Sequence, residues 1–197
     1  MMRHFSKISI IILINWIFSP NVIYTDLNRK ALKNEESVTS KITEKFVSKY
    51  QFEAGYNEAI DYIKKHEGFN GGEIYNDVAG IKTVGHGHVI LDTDTFTTTM
   101  SKETADRLLR KDFEKAIKAA ERETNLTGYK KIAIAHFIFA KGVGNFRKSN
   151  LKKLIESKDS INEELKKWCN YRSVSGNLVR SEYSYNIRLW EIEMYNR

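Results

Sequence analysis

The sequence predicts an α+β fold: one helix, a small glycine-rich antiparallel sheet and a larger helical lobe, with a cleft where the sheet and lobe meet. Three observations carry this. Six of the 11 glycines fall between positions 68 and 87, among short runs of β-forming residues. Apolar residues recur at helical spacing before that stretch, and again from Ser101 to the end. The chain has one proline and one cysteine, which excludes a Pro-rich linker, an intrachain disulfide and a Cys-rich metal module. At 197 residues, 41% hydrophobic and 29% charged, it is long enough for one domain and a tail and too apolar to be disordered.

Taken in order, residues 1–25 open with Arg3 and Lys7 and hold no acid. Their apolar run, Ile8 to Phe18, is broken only by Ser9 and Asn15. A membrane-crossing helix needs roughly 20 apolar residues and a secretory core about 7–15, so 1–25 reads as a signal peptide, with an uncleaved anchor as the alternative. The product is then secreted or periplasmic. Residues 26–50 are polar and charge-rich and read as a spacer, leaving 51–197 as the folded domain. Tyr56, Ala59, Ile60 and Ile63 give a short amphipathic helix that Gly68 stops. The runs at 73–75, 81–84 and 88–91 predict the strands, and threonine-rich 93–99 an exposed loop. Ser101 is the predicted cap of a helix with Ala105, Leu108, Leu109, Phe113, Ala116, Ile117 and Ala120 on one face. Ile132 to Ala140 is apolar all round, as a buried central helix would be. Further helices fit 150–157, 161–168 and 182–195, the last with Ile187, Trp190 and Met194 inward, so the chain after Ser101 reads as helical throughout.

The chemistry concentrates at 66–88. A carboxylate at a helix C-terminus, Glu67, meets the negative end of the dipole, which disfavours its charged form, and Phe69 beside it could remove water. Asp77, in a polar glycine-rich turn, is expected to stay ionised. Two acids held at different pKa values form the acid/base pair that glycosidic cleavage requires. By itself the pairing is weak, since the chain has 25 acidic residues.

The arrangement His66-Glu67-Gly68, then Tyr75-Asn76-Asp77, then Gly80-Ile81-Lys82-Thr83-Val84-Gly85-His86-Gly87-His88 resembles the catalytic signature of phage-type lysozymes, the endolysin muramidases. Similarity continues through 101–113 and 139–154 and covers roughly residues 57–195. The resemblance implies a lysozyme-like fold, Glu67, Asp77 and Thr83 as the catalytic set, Val89 as a substrate contact, and peptidoglycan glycan strands as substrate. It implies no cofactor, no metal and a monomer, and it favours an inverting path with the carboxyl groups roughly 6.5–9.5 Å apart. Three departures stand out. Nine residues separate Glu67 from Asp77 where the family has eight, Ala140 replaces an asparagine, and 178–186 lacks an Arg-Arg pair.

Two rivals come from other classes. His86 and His88, two apart, could share a strand face and bind zinc with Asp77 or His66, as in a wall-cleaving metallopeptidase. If the extra loop residue misplaces an acid, an inactive wall-binding module remains. The net charge of +7 points toward an anionic partner, and the +5 left without 1–25 (30 Lys and Arg against 25 acids) suits an anionic wall polymer and equally generic solubility. The secretory start and the lack of any groove-reading motif argue against nucleic acid. His136 reads as a satisfied core histidine, and Cys169 as a small buried apolar residue.

Overall fold

The computed structural model describes residues 25–76, 80–96, 99–172 and 177–197. The signal-peptide expectation for 1–25 therefore lies, apart from Thr25, outside the described residues, as does the position of Asp77. Two compact units divide the chain, Met1–Lys45 and Phe46–Arg197. In the first, residues 25–45 are helical and the described side chains are exposed. This helix, α1 (Thr25–Glu67), takes in the whole of the stretch read as a spacer.

The second unit holds everything else. Along α1, Ala59, Ile60 and Ile63 are buried in the main core, matching the predicted amphipathic face. The helix ends where Gly68 takes φ +71°, a left-handed conformation that costs glycine little, and its N–H donates to the Lys64 carbonyl at 3.1 Å. Three short strands follow, β1 (Tyr75–Asn76), β2 (Lys82–Val84) and β3 (His88–Val89), in an antiparallel sheet of order β1-β2-β3. Tyr75 pairs with Thr83, Thr83 with Val89, and Val84 with His88. Of the loop read as exposed, Thr93, Thr95 and Thr99 are, but Phe96 turns inward onto the small cluster of Val84, Met100 and Ala105.

The helical lobe contains α2 (Lys102–Glu123), α3 (Gly128–Lys141), α4 (Val143–Lys148), α5 (Asn150–Ser157), α6 (Asn162–Lys166) and α7 (Glu182–Tyr195). Ser101 caps α2 as predicted, its side chain accepting the Thr104 N–H at 3.2 Å. Residues Ile132 to Ile138 of α3 are all buried, so α3 is the central helix. Two expectations need correction. The lobe is not helical throughout: β4 (Asn170–Arg172) and β5 (Leu178–Arg180) pair as an antiparallel hairpin. The 161–168 helix is shorter, because α6 gives way to a 3₁₀ turn over Lys167–Cys169. Cys169 is buried there, and its thiol donates to the Lys166 carbonyl at 2.8 Å. No helix among the described residues is long and apolar enough to cross a membrane.

Candidate active site

Glu67 is the last residue of α1 and lines a cleft of about 470 Å³. The opposite walls come from the sheet (His86, Gly87, His88, Val89) and from α2 and α3 (Leu109, Asp112, Phe139). The predicted junction of sheet and helical lobe is therefore the cleft. Glu67 is surface-exposed toward the cleft, but protein covers part of its carboxyl. That partial burial pushes the carboxyl above the ordinary glutamate range, against the opposing pull of His136, His66 and His86. A methyl group built on Gly87 would lie 3.4 Å from Glu67 Oε2, so the sheet turn passes directly over the carboxylate.

The helix end carrying Glu67 is held by its neighbours. Helix C-termini leave carbonyls without intrahelical partners. Here the Gly68 carbonyl accepts from His86 Nδ1, and the His66 carbonyl accepts from the Tyr183 hydroxyl at 3.3 Å. Tyr183 is close enough to Glu67 to feel it: burial raises the phenol pKa first, and the Glu67 charge adds to the rise. Behind Glu67, Tyr62 stacks on Trp190 at 4.2 Å and against His66 at 4.1 Å. Burial, helped by Glu191 and Tyr183, pushes the Tyr62 phenol up to about 12. Trp190 is thus half-buried packing for the site and not a free sugar platform.

The structure brings Glu67 and Val89 to one cleft. Thr83 is the cross-strand partner of Val89, so their side chains share a sheet face, but Thr83 is only 4% exposed and does not line the cleft. Its hydroxyl donates to the Ile81 carbonyl at 3.0 Å, which leaves the oxygen free to accept. Asp77 directly follows β1 in sequence, outside the described residues.

One premise of the zinc alternative, the shared strand face, requires correction. His86 lies in the turn between β2 and β3, not on a strand, so it does not share a strand face with His88. His86 Nε2 donates to Asp106 at 2.8 Å, while His88 donates to Asp112 from Nδ1 and to Asp94 at 3.1 Å from Nε2. Each imidazole is committed to carboxylates the other does not touch. No cluster of three or more potential metal ligands occurs among the described residues.

A family description decides the relationship. The phage lysozyme model matches residues 64–182. The chain belongs to the phage lysozyme family. Solved structures agree with the lysozyme fold. The endolysin from Escherichia coli O157:H7 phage FAHEc1 is 26% identical, with TM-score 0.60 over 70% of this chain and 89% of that one. The muramidase domain of SpmX from Asticaccaulis excentricus is 19% identical, with TM-score 0.63 over 71% and 95%. The active form of P1 phage endolysin Lyz is 15% identical, with TM-score 0.56 over 74% and 84%. No curated protein matches the sequence. Set in this phage lysozyme scaffold, Asp106, Asp112 and Tyr183 are site neighbours that sequence reasoning missed. Asp106 and Asp112 sit six apart, half-buried at the two edges of the apolar face of α2, and only the tertiary fold brings them to the two histidines.

Proposed function

We propose that this phage lysozyme is a muramidase that hydrolyses the β-1,4 bond between N-acetylmuramic acid and N-acetylglucosamine in peptidoglycan. The carrying observation is Glu67: a carboxyl on the wall of a cleft, raised above the ordinary glutamate range by partial burial, beside a turn where a Cβ on Gly87 would meet one of its oxygens. A carboxyl raised in this way holds its proton to higher pH and can give it to a glycosidic oxygen as the bond breaks. Asp77 is the second carboxylate, ionised, either orienting water or stabilising the oxocarbenium-like centre. Thr83, buried with its hydroxyl proton directed at Ile81, lies behind the cleft wall and steadies the strand that pairs with Val89. Val89 supplies an apolar contact from the cleft wall. The resemblance to phage-type lysozymes favours an inverting path, in which water attacks the face opposite the one Glu67 protonates. The reaction needs no cofactor. The enzyme acts as a monomer outside the cytoplasm, on the wall, after the N-terminal signal has directed it there.

The test is release of reducing sugar from purified peptidoglycan by the wild type and by Glu67→Gln. The wild type is expected to release muramic-acid reducing ends. The variant, folded but unable to donate a proton, is expected to lose at least about a hundredfold in rate. Comparable release by both proteins refutes the assignment.

A further inference from the structure

The end of α1 is tied into a closed ring of side chains that the reaction itself does not use. Lys64, one turn before the catalytic end, donates from Nζ to Asp106 Oδ2 at 2.5 Å. Asp106 Oδ1 accepts from His86 Nε2 at 2.8 Å. His86 Nδ1 donates to the carbonyl of Gly68, and the Gly68 N–H returns to the Lys64 carbonyl at 3.1 Å. Glu67 lies inside this ring, between the two tied residues 64 and 68. His86 is 5% exposed, with the Phe69 ring 5.8 Å from its own, so it cannot swing into solvent. It points inward because the glycines on either side of it take φ +65° and +83°, a turn that a residue with a Cβ would strain. A Cβ on Gly87 would lie 3.4 Å from Glu67 Oε2, so a side chain at the position after the clamp would crowd the carboxylate. On the other side, Tyr183 holds the His66 carbonyl at 3.3 Å.

We propose that His86, fixed by Asp106 and Lys64, is a positioning residue for the proton donor, and that Tyr183 is its weaker counterpart on the far side. The carbonyls of the residues on either side of Glu67, His66 and Gly68, are then each held by a side chain, which limits how far the carboxyl drifts from the bond it protonates. A displacement of about 1 Å at such a group is enough to cost on the order of a hundredfold in rate. This inference rests on the muramidase reading and adds to it.

The two halves of His86 can be tested separately. His86→Asn puts an amide nitrogen where Nδ1 stands and keeps a donor for Gly68. His86→Gln puts it where Nε2 stands, facing Asp106, and abandons Gly68. Turnover on solubilised glycan strands should therefore fall by about tenfold in His86→Gln and by no more than about threefold in His86→Asn, with KM within about twofold in both, because the loss falls on the chemical step. Tyr183→Phe, at a half-exposed site that tolerates the change, should lose about twofold to threefold in kcat at unchanged Tm. Equal losses in the two His86 variants, a loss confined to KM, or wild-type kcat in both His86→Gln and Tyr183→Phe would overturn the proposal. Should the wild type release no reducing ends, the muramidase reading fails instead. Amide exchange at Gly68 then judges the clamp: faster in His86→Gln than in the wild type and His86→Asn supports it, and no difference rejects it.

Discussion

Glu67 bears opposing demands. Its partial burial favours the neutral acid, and the helix C-terminus does the same, while three nearby histidines pull the other way. The net rise has a consequence for stability as well as chemistry. A carboxyl with a raised folded-state pKa binds its proton more tightly folded than unfolded, so stability falls as pH rises through that pKa. The Glu67→Gln variant should therefore melt above the wild type at neutral pH. That difference should vanish as pH drops below the ordinary glutamate range, near about 4.3, which a series of calorimetric scans would show. Gly72 makes a second prediction at this scale. With φ +78°, it lies so close to Met100 that a Cβ would fall 1.8 Å from the Met100 carbonyl oxygen. Its own carbonyl accepts the Met100 N–H at 2.9 Å, joining the sheet's first strand region to the entry of α2. Gly72→Ala should cost about 2–4 kcal/mol by urea unfolding, from backbone strain and the broken approach together. Gly68 was legible in the sequence because a glycine ending a periodic run has a local meaning. The role of Gly72 depends on a residue 28 positions away and was not.

At the level of elements, local signals predicted well. Ser101 starts α2, and α5 and α7 fall at the predicted 150–157 and 182–195. Elements that rely on partners predicted less well. The β4–β5 hairpin joins two three-residue strands, too short to establish an alternating pattern, and its Gly176-Asn177 turn signal is easily absorbed into a helical reading. The junction of α2 with α4 and α5 is similarly non-local. Glu123, the last residue of α2, sits at the unfavourable negative end of its helix dipole. It is compensated by Arg147, whose Nη2 lies 2.7 Å away, and by Lys152 at 2.9 Å. These two partners lower the Glu123 pKa to about 2. A depressed carboxylate stabilises the fold above the ordinary range and loses that contribution as pH falls through its folded value. The wild type should thus melt above Glu123→Gln at pH 6, and the gap should close between about pH 4 and pH 2.

The second unit is organised round α3, which packs against α2 and α7. The reading of α7 placed Ile187 and Met194 inward correctly and was silent on the charged positions between them. Arg188 and Glu191 are fully buried. Glu191 Oε1 accepts from His136 Nδ1 at 2.6 Å and lies 3.0 Å from an Arg188 guanidinium nitrogen. Hydrophobic periodicity cannot reveal such a cluster, because it scores both residues as polar whether or not they find partners inside. His136, anticipated as a satisfied core histidine, is its third member. Arg188 Nε and Nη1 and Glu191 Oε2 have no hydrogen-bond partner within the described residues, so the pair's attraction is set against incomplete satisfaction. Replacing Glu191 alone with leucine should cost about 3–5 kcal/mol, since it strands the buried guanidinium. Replacing both, as Arg188→Met with Glu191→Leu, should recover most of that loss in chemical denaturation.

The functional account depends on a cleft in which a protonated Glu67 breaks a sugar–sugar bond with water as the acceptor. Mass analysis of the products from purified peptidoglycan tests this most directly. The account predicts muropeptides that end in reducing N-acetylmuramic acid, absent when Glu67→Gln replaces the wild type. Freed peptides on intact glycan strands, or the same muropeptides from both proteins, would contradict it.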